Sequence, residues 1–400
     1  MSQLRDLVRR IAPNTGIALV AVVIFHLLSV SSGKIDVNQG RGWDGRAYAE
    51  MASVSLTEGN AITRVRPLLI LPAAALNRLG VEIIQAFIIC NYVYAFALAL
   101  AACALLDLFA VSWPARLTIA ANVAFCIPSA KMFAFYPVQI DLGVLAVMTW
   151  TVYFATAGRH GAAACCAVLA AVSREFAIAV LVYGVVAAWR AGLRPWKAAA
   201  FYLPAFAAFA AVRIWAVSVG PPKDVAYVTI SSALANLHTW QSPLFVLMFV
   251  YFTLTLFGGL TMSLLSRPVW LARQFAARWE LLVFLAPVVA AAVAGNIDIW
   301  RYLAFALPVV VLLLGPYVQS LDKSQLRQAM IIMTLVTLLT QRPFEQMNAD
   351  SYFRDWFPLY ERPEGLSVAW SYRILATMLF GGVLAALTSR LGGRSSQAIE

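Results

Sequence analysis

The sequence predicts an all-α integral membrane protein with about 11–13 transmembrane helices, and three observations lead there. Of its 400 residues, 62% are hydrophobic and 12% charged, against about 45–50% and about 25% in soluble domains. Mean hydropathy is +0.78. Apolar runs separated by Arg, Pro and Gly clusters recur along the chain, and a crossing needs roughly 20 such residues. A soluble protein is excluded, and 1–400 reads as a single transmembrane domain.

The elements follow in order. Arg5, Arg9 and Arg10 precede the first apolar run, 15–32; with no small-residue cleavage site after it, this is a retained first helix rather than a signal peptide. Further crossings are expected near 83–107, 117–130, 139–157, 161–173, 176–190, 198–219, 243–265, 280–295, 302–320, 327–341 and 366–389. Alternation from an inside N-terminus puts loops 108–116, 158–160, 191–197, 266–279 and 321–326 on the inner side. The basic clusters there, such as Arg190, Arg194 and Lys197, then Arg267, Arg273 and Arg278, follow the positive-inside rule, although Lys and Arg divide about evenly when every residue is counted. The net charge of +11 is therefore a topology signal, and no basic run is long enough for nucleic acid. Segment 62–80, with Pro67 and Pro72, fits the alternation only as an interfacial or re-entrant piece. The first outer loop is 33–61. The longest outer loop, 342–365, carries Phe344, Tyr352, Phe353, Trp356, Phe357 and Tyr360, which suit an interfacial belt or an acceptor groove.

This topology brings distant charges to one outer face: Asp44, Asp141, Arg174–Glu175 and Asp298–Arg301. Ionisable residues at a membrane boundary are costly and mark pathways or sites, so one convergent pocket is expected. Asp44, between Trp43 and Gly45 with Tyr48 one turn on, is either a helix cap or a general base. Arg64 and Arg66 suit a bidentate phosphate clamp or headgroup snorkelling. Arg174 interrupts an apolar stretch and reads as a site residue or as half of a structural ion pair with Glu175. Asp141 either caps its helix or accepts from sugar hydroxyls. Asp298 and Arg301 stand at i and i+3 and either pair with each other or bind substrate, with Arg301 near the phosphate.

The segment WDGRAYAEMA at 43–52 resembles the first-loop motif of the GT-C-type glycosyltransferases, polytopic enzymes that use polyprenyl-phosphate sugars. TRVRPLL at 63–69 resembles the Arg-Pro-Leu-Leu segment that follows that loop in bacterial members. FYPVQIDLG at 135–143 and SREFA at 173–177 are similar to their later aromatic-Pro-Asp and Arg/Lys-Glu segments, and NIDIWRYLAFALP at 296–308 to an Asp-Arg-Pro segment. The resemblance implies a GT-C-like fold with an outer-face cavity, a mannosyltransferase-like activity and Asp44 as the catalytic base. It also implies a bacterial inner membrane location with a cytoplasmic N-terminus and a periplasmic active site. The partners expected are a polyprenyl-phosphate sugar donor, a lipid or glycan acceptor and membrane lipids.

No Walker loop, Rossmann fingerprint, Ser-His-Asp set or Asp-x-Asp pair is visible in the chain. His26, His160 and His238 lie far apart, and Cys90, Cys103, Cys126, Cys165 and Cys166 fall in apolar stretches as small buried hydrophobes, so no His or Cys metal site is expected. No cofactor is called for, with a divalent cation left open. The rival reading is a polytopic transporter or lipid flippase, whose charges would line a route; a non-catalytic scaffold would leave Asp44 and Arg174–Glu175 without a task.

Overall fold

A computed structural model describes residues 2–126, 131–219, 243–294, 299–341 and 346, together with 375, 378–384 and 386–387. Helix α1 (Ser2–Ser31) is followed by the short α2 (Asp44–Ser53), α3 (Ala61–Arg64) and α4 (Leu71–Arg78), then by α5 (Ile83–Asp107), α6 (Trp113–Phe125) and α7 (Lys131–Phe135). Next come α8 (Asp141–Thr156), α9 (His160–Ala171), α10 (Ala177–Arg190) and the long α11 (Pro195–Ser218). The last group is α12 (Pro243–Thr255), α13 (Gly259–Leu265), α14 (Pro268–Ala277), α15 (Glu280–Ala294), α16 (Ile299–Leu303), α17 (Leu307–Gln319) and α18 (Lys323–Gln341). Among the described residues no strand occurs.

Local chemistry sets the helix starts. Glu82 accepts from the Gln85 amide at 3.0 Å and caps α5, and Asn60 and Thr63 form a reciprocal capping box on α3. Pro195 and Pro268 open α11 and α14, where a missing amide proton loses no hydrogen bond. Helix α1 packs on α5, α6 and α7; α5 packs on α8 and α17; α9 lies among α8, α10 and α11.

The described residues are all-helical, and their apolar helices suit a multi-pass membrane protein. Among the described residues, four stretches are long and apolar enough to cross a bilayer, Pro13–Ser31, Ile83–Asp107, Pro195–Ser218 and Ile299–Gln319, and two bent pairs raise the number to six. Not all of the expected crossings are therefore full-length helices. Helices α8, α9 and α10 have 16, 12 and 14 residues, roughly 18–24 Å at helical rise against a hydrocarbon core of about 30 Å. The expected crossing 243–265 is two helices, α12 and α13, meeting at 89°. Gly258 takes φ +52° at that bend, and a Cβ there would lie 2.8 Å from the Thr337 Cα. The expected loop 266–279 contains α14, set at 105° to α15. Segment 62–80 forms α3 and α4 around an irregular stretch, and the 8 residues of α4 are too few to cross.

Hydrogen bonds tie the helices together at two ends. At one end the Ile35 amide donates to Phe135 O at 2.9 Å and the Leu68 amide to Val172 O at 3.4 Å. At the opposite end Gln319 Nε2 donates to Phe109 O, Arg267 Nη1 to Ser320 Oγ at 2.8 Å and Arg190 Nη2 to Ala277 O at 2.7 Å. Asp298 and, apart from Gln346, the aromatic loop 342–365 lie outside the described residues.

Candidate functional site

The first end carries a chain of alternating charges drawn from five parts of the sequence. Arg301 in α16 donates from Nη1 to Asp44 Oδ2 at 3.0 Å, from Nε to Asp141 Oδ2 at 2.6 Å and from Nη2 to Gln139 Oε1 at 2.7 Å. The other Asp141 oxygen accepts from Arg174, whose Nε lies 3.7 Å from Glu175 Oε1. Glu175 in turn takes a bidentate pair from Arg66, Nε to Oε2 at 3.0 Å and Nη2 to Oε1 at 2.6 Å. Arg66 Nη1 donates to the Tyr48 hydroxyl, and Tyr48 stands one turn beyond Asp44 on α2. The chain therefore closes on itself as Asp44–Arg301–Asp141–Arg174–Glu175–Arg66–Tyr48, with three carboxylates offset by three guanidinium groups.

Burial divides the ring. The side chains of Arg174 and Arg66 are only 1% and 4% exposed, whereas Asp44 is 49% exposed. Arg174 also lies over the rings of Phe176 and Phe305, at 5.6 and 5.4 Å from their centroids, a placement that favours a cation. Asp141 and the two aromatic faces thus offset its charge, while its buried Nε has no hydrogen-bond partner among the described residues. Among the described residues nothing donates to Asp44 Oδ1, so one oxygen of this half-exposed carboxylate is anchored and the other is unengaged.

Asp44 and Asp141 are each the first residue of a helix, yet neither serves as a cap. The N-cap positions are Trp43 and Ile140, and neither helix start has a side-chain cap bond. Both carboxylates are turned to arginines and make no cap hydrogen bond, while each still places an acid in the first turn of its helix. Both Asp141 oxygens are engaged, one by Arg174 and one by Arg301.

The Asp44 backbone is fixed by Tyr136. Its hydroxyl accepts from the Gly45 amide at 2.7 Å, and its ring meets Trp43 edge-on at 6.0 Å. A Cβ on Gly42 would lie 2.3 Å from that ring, and one on Gly45 would lie 2.7 Å from the Val138 carbonyl. Glycine at both positions is what allows the loop to seat against 136–138.

Arg64 and Arg66 do not act as a pair. Arg64 donates from Nε to Ala216 O at 3.2 Å and from Nη1 to Gly59 O at 2.7 Å, so it straps the end of α11 to the first loop. Arg66 is the one inside the ring. The two arginines expected to form one clamp thus have different partners here, Glu175 and Tyr48 for Arg66, and the Gly59 and Ala216 carbonyls for Arg64.

The charges set the protonation states. Burial would raise the Asp44 carboxyl, but Arg301, Arg66 and Arg174 outweigh it and hold its pKa below the usual value. Burial opposes ionisation of Glu175 too, yet Arg66 and Arg174 hold it at about 2. Burial likewise works against the Arg66 cation, and its partner Glu175 outweighs that, raising the guanidinium above its ordinary range. Near neutral pH Asp44, Glu175 and Arg66 are therefore charged.

The sequence did not single out three neighbours. Gln139 holds Arg301 and Tyr136 holds Gly45. Arg213, inside α11, donates to Phe209 O at 2.8 Å and sits electrostatically near Glu175 and Arg66. A lone arginine inside an apolar run was the signal available for the last. Among the described residues no group of three or more His, Cys, Asp or Glu is placed to hold a metal ion, and Cys165 is exposed on α9 rather than buried. No family model, curated protein or solved structure matches the chain.

Proposed function

We propose that the protein is a GT-C-type glycosyltransferase of the bacterial inner membrane. In this reading it moves a sugar from a polyprenyl-phosphate donor to a lipid or glycan acceptor on the periplasmic face, with inversion. The observation that carries the reading is Asp44, a half-exposed carboxylate with Oδ2 anchored by Arg301 and no donor on Oδ1 among the described residues. A general base needs this combination of fixed orientation and open access. The acceptor hydroxyl attacks the sugar C1 as the bond from C1 to the phosphate oxygen breaks. The hydroxyl proton passes to Asp44, and the electron pair leaves with the polyprenyl phosphate. A low proton affinity in the resting ring is offset if the departing phosphate draws Arg301 away from Asp44 as negative charge gathers on it.

The short helices support the placement. If the opposite ends of α8, α9 and α10 lie at one membrane surface, their 12–16 residues leave Asp141 and Arg174–Glu175 about 6–12 Å below the other surface. A lipid-linked donor could then reach the ring from the bilayer. The positive-inside rule assigns the basic end to the cytoplasm and the ring to the periplasmic side.

The two sharp bends favour a second reading, a transporter, since broken helices form transport sites. Neither bend contains a ring residue. Purified protein incubated with a panel of radiolabelled polyprenyl-phosphate sugars and membrane acceptors decides between them. Labelled product supports transfer; no product from any donor, together with uptake in liposomes, supports transport.

A further inference from the structure

The opposite end of the bundle has a composition of its own. Among the described residues, four tryptophans are exposed, Trp113 at 52%, Trp189 at 46%, Trp196 at 64% and Trp279 at 39%. All four lie at this end, and Trp189 and Trp279 meet edge-on at 6.0 Å. Tryptophan gathered at one level of a membrane protein marks the headgroup region. Helix α14 lies at the same level, since Arg267 just before it bonds Ser320 and Ala277 at its end accepts from Arg190. It is set at 105° to α15, so it runs along the membrane surface when α15 crosses. None of its residues is fully buried; Trp270 packs on Tyr317 at 5.8 Å while Arg273 is turned out to solvent.

Among the described residues, the cations of this end outnumber the carboxylates that pair with them, Asp107 and Glu280. Arg190 and Arg278 share one carboxylate, Glu280. Arg194, Lys197, Arg273, Lys323 and Arg327 are exposed, and among the described residues none of the five pairs with a carboxylate. Lys197 lies over the Trp196 ring at 5.4 Å, holding an ammonium beside an interfacial aromatic. Unpaired cations at tryptophan level are complementary to the phosphate groups of acidic phospholipids.

We infer that this end, organised by the surface helix α14, is a binding surface for anionic phospholipid headgroups. The inference is independent of the chemistry at Asp44. Each cation at an anionic surface strengthens binding by about fivefold, so loss of three predicts a weakening of more than tenfold.

The test uses the full-length protein in nanodiscs of phosphatidylcholine alone and with one third phosphatidylglycerol. Lipid retained through detergent extraction is measured for wild type and for Arg194→Gln/Lys197→Gln/Arg273→Gln. These positions are exposed, so the variant should keep the wild-type Tm in phosphatidylcholine; Arg78→Gln, exposed at the other end, is the control. The expected result is retention of phosphatidylglycerol over phosphatidylcholine by wild type and control, reduced at least tenfold in the triple variant. Equal retention of the two lipids, or an unchanged triple variant, overturns the inference. So does equal stabilisation by inorganic phosphate, which would indicate a site for free anions. If the triple variant has a lowered Tm, Lys323→Gln/Arg327→Gln on α18 replaces it and is read the same way.

Discussion

Arg301 joins Asp44 to Asp141, with Nη1 3.0 Å from one carboxylate and Nε 2.6 Å from the other. The three residues come from α2, α8 and α16, so this guanidinium fixes the position of the first loop against two distant helices. Its planar fork serves three acceptors at once, a task for arginine and not for lysine. Arg301→Lys is therefore expected to lower transfer more than tenfold while keeping the charge. Steady-state rates together with Tm check this; a rate equal to wild type would show that geometry at this position is immaterial.

Arg174 is the most deeply buried cation of the ring. Replacement by Met leaves Asp141 with one cation and Glu175 with one, and breaking a buried pair costs about 3–5 kcal/mol. Thermal or chemical unfolding in detergent should show that loss, and Arg174→Met/Asp141→Asn should recover part of it. A double variant no better than the single would show that the aromatic faces, not the carboxylate, hold the arginine.

Gly45 sets how close α2 comes to 136–138. An alanine there puts Cβ 2.7 Å from a backbone carbonyl and 2.8 Å from the Tyr136 ring, and overpacking of this kind costs about 1–3 kcal/mol. Gly45→Ala should lower Tm and displace Asp44, reducing transfer. Gly80→Ala, where nothing lies within 4 Å of the added carbon but φ is +91°, should affect Tm without affecting transfer per folded molecule.

Acid should loosen the site in a defined window. Glu175 titrates from 4.5 in an ordinary setting down to about 2 in the ring. Its stabilising contribution is therefore complete above about pH 5 and is lost as pH falls from 4.5 toward 2. The lowered Asp44 acts in the same direction. Tm measured against pH should be flat in this respect near neutrality and drop below 4.5; in Glu175→Gln that acid-dependent drop should shrink.

Much of the ring could be read from the sequence because its members are charges in apolar surroundings. Asp44, Asp141, Arg174, Glu175 and Arg301 stand out for that reason, and alternation of crossings was enough to place them at one end. The roles within the ring could not be read. Whether Arg64 or Arg66 turns inward depends on Glu175 and on the Ala216 carbonyl of α11, partners more than a hundred residues away. The bend between α12 and α13 lies in an apolar run whose mean hydropathy is that of a straight crossing; only Gly258–Gly259 marks it. Gln139 carries no charge and gives no such signal, although it completes the fork of Arg301.

The most direct measurement is transfer from a polyprenyl-phosphate sugar by Asp44→Asn beside wild type, at saturating donor and with Tm measured on both. Asn keeps the shape and removes the proton acceptor, and a general base contributes roughly 10²–10⁴-fold. The account predicts a fall of that size at a Tm close to wild type. A folded Asp44→Asn protein that transfers sugar at the wild-type rate would contradict it.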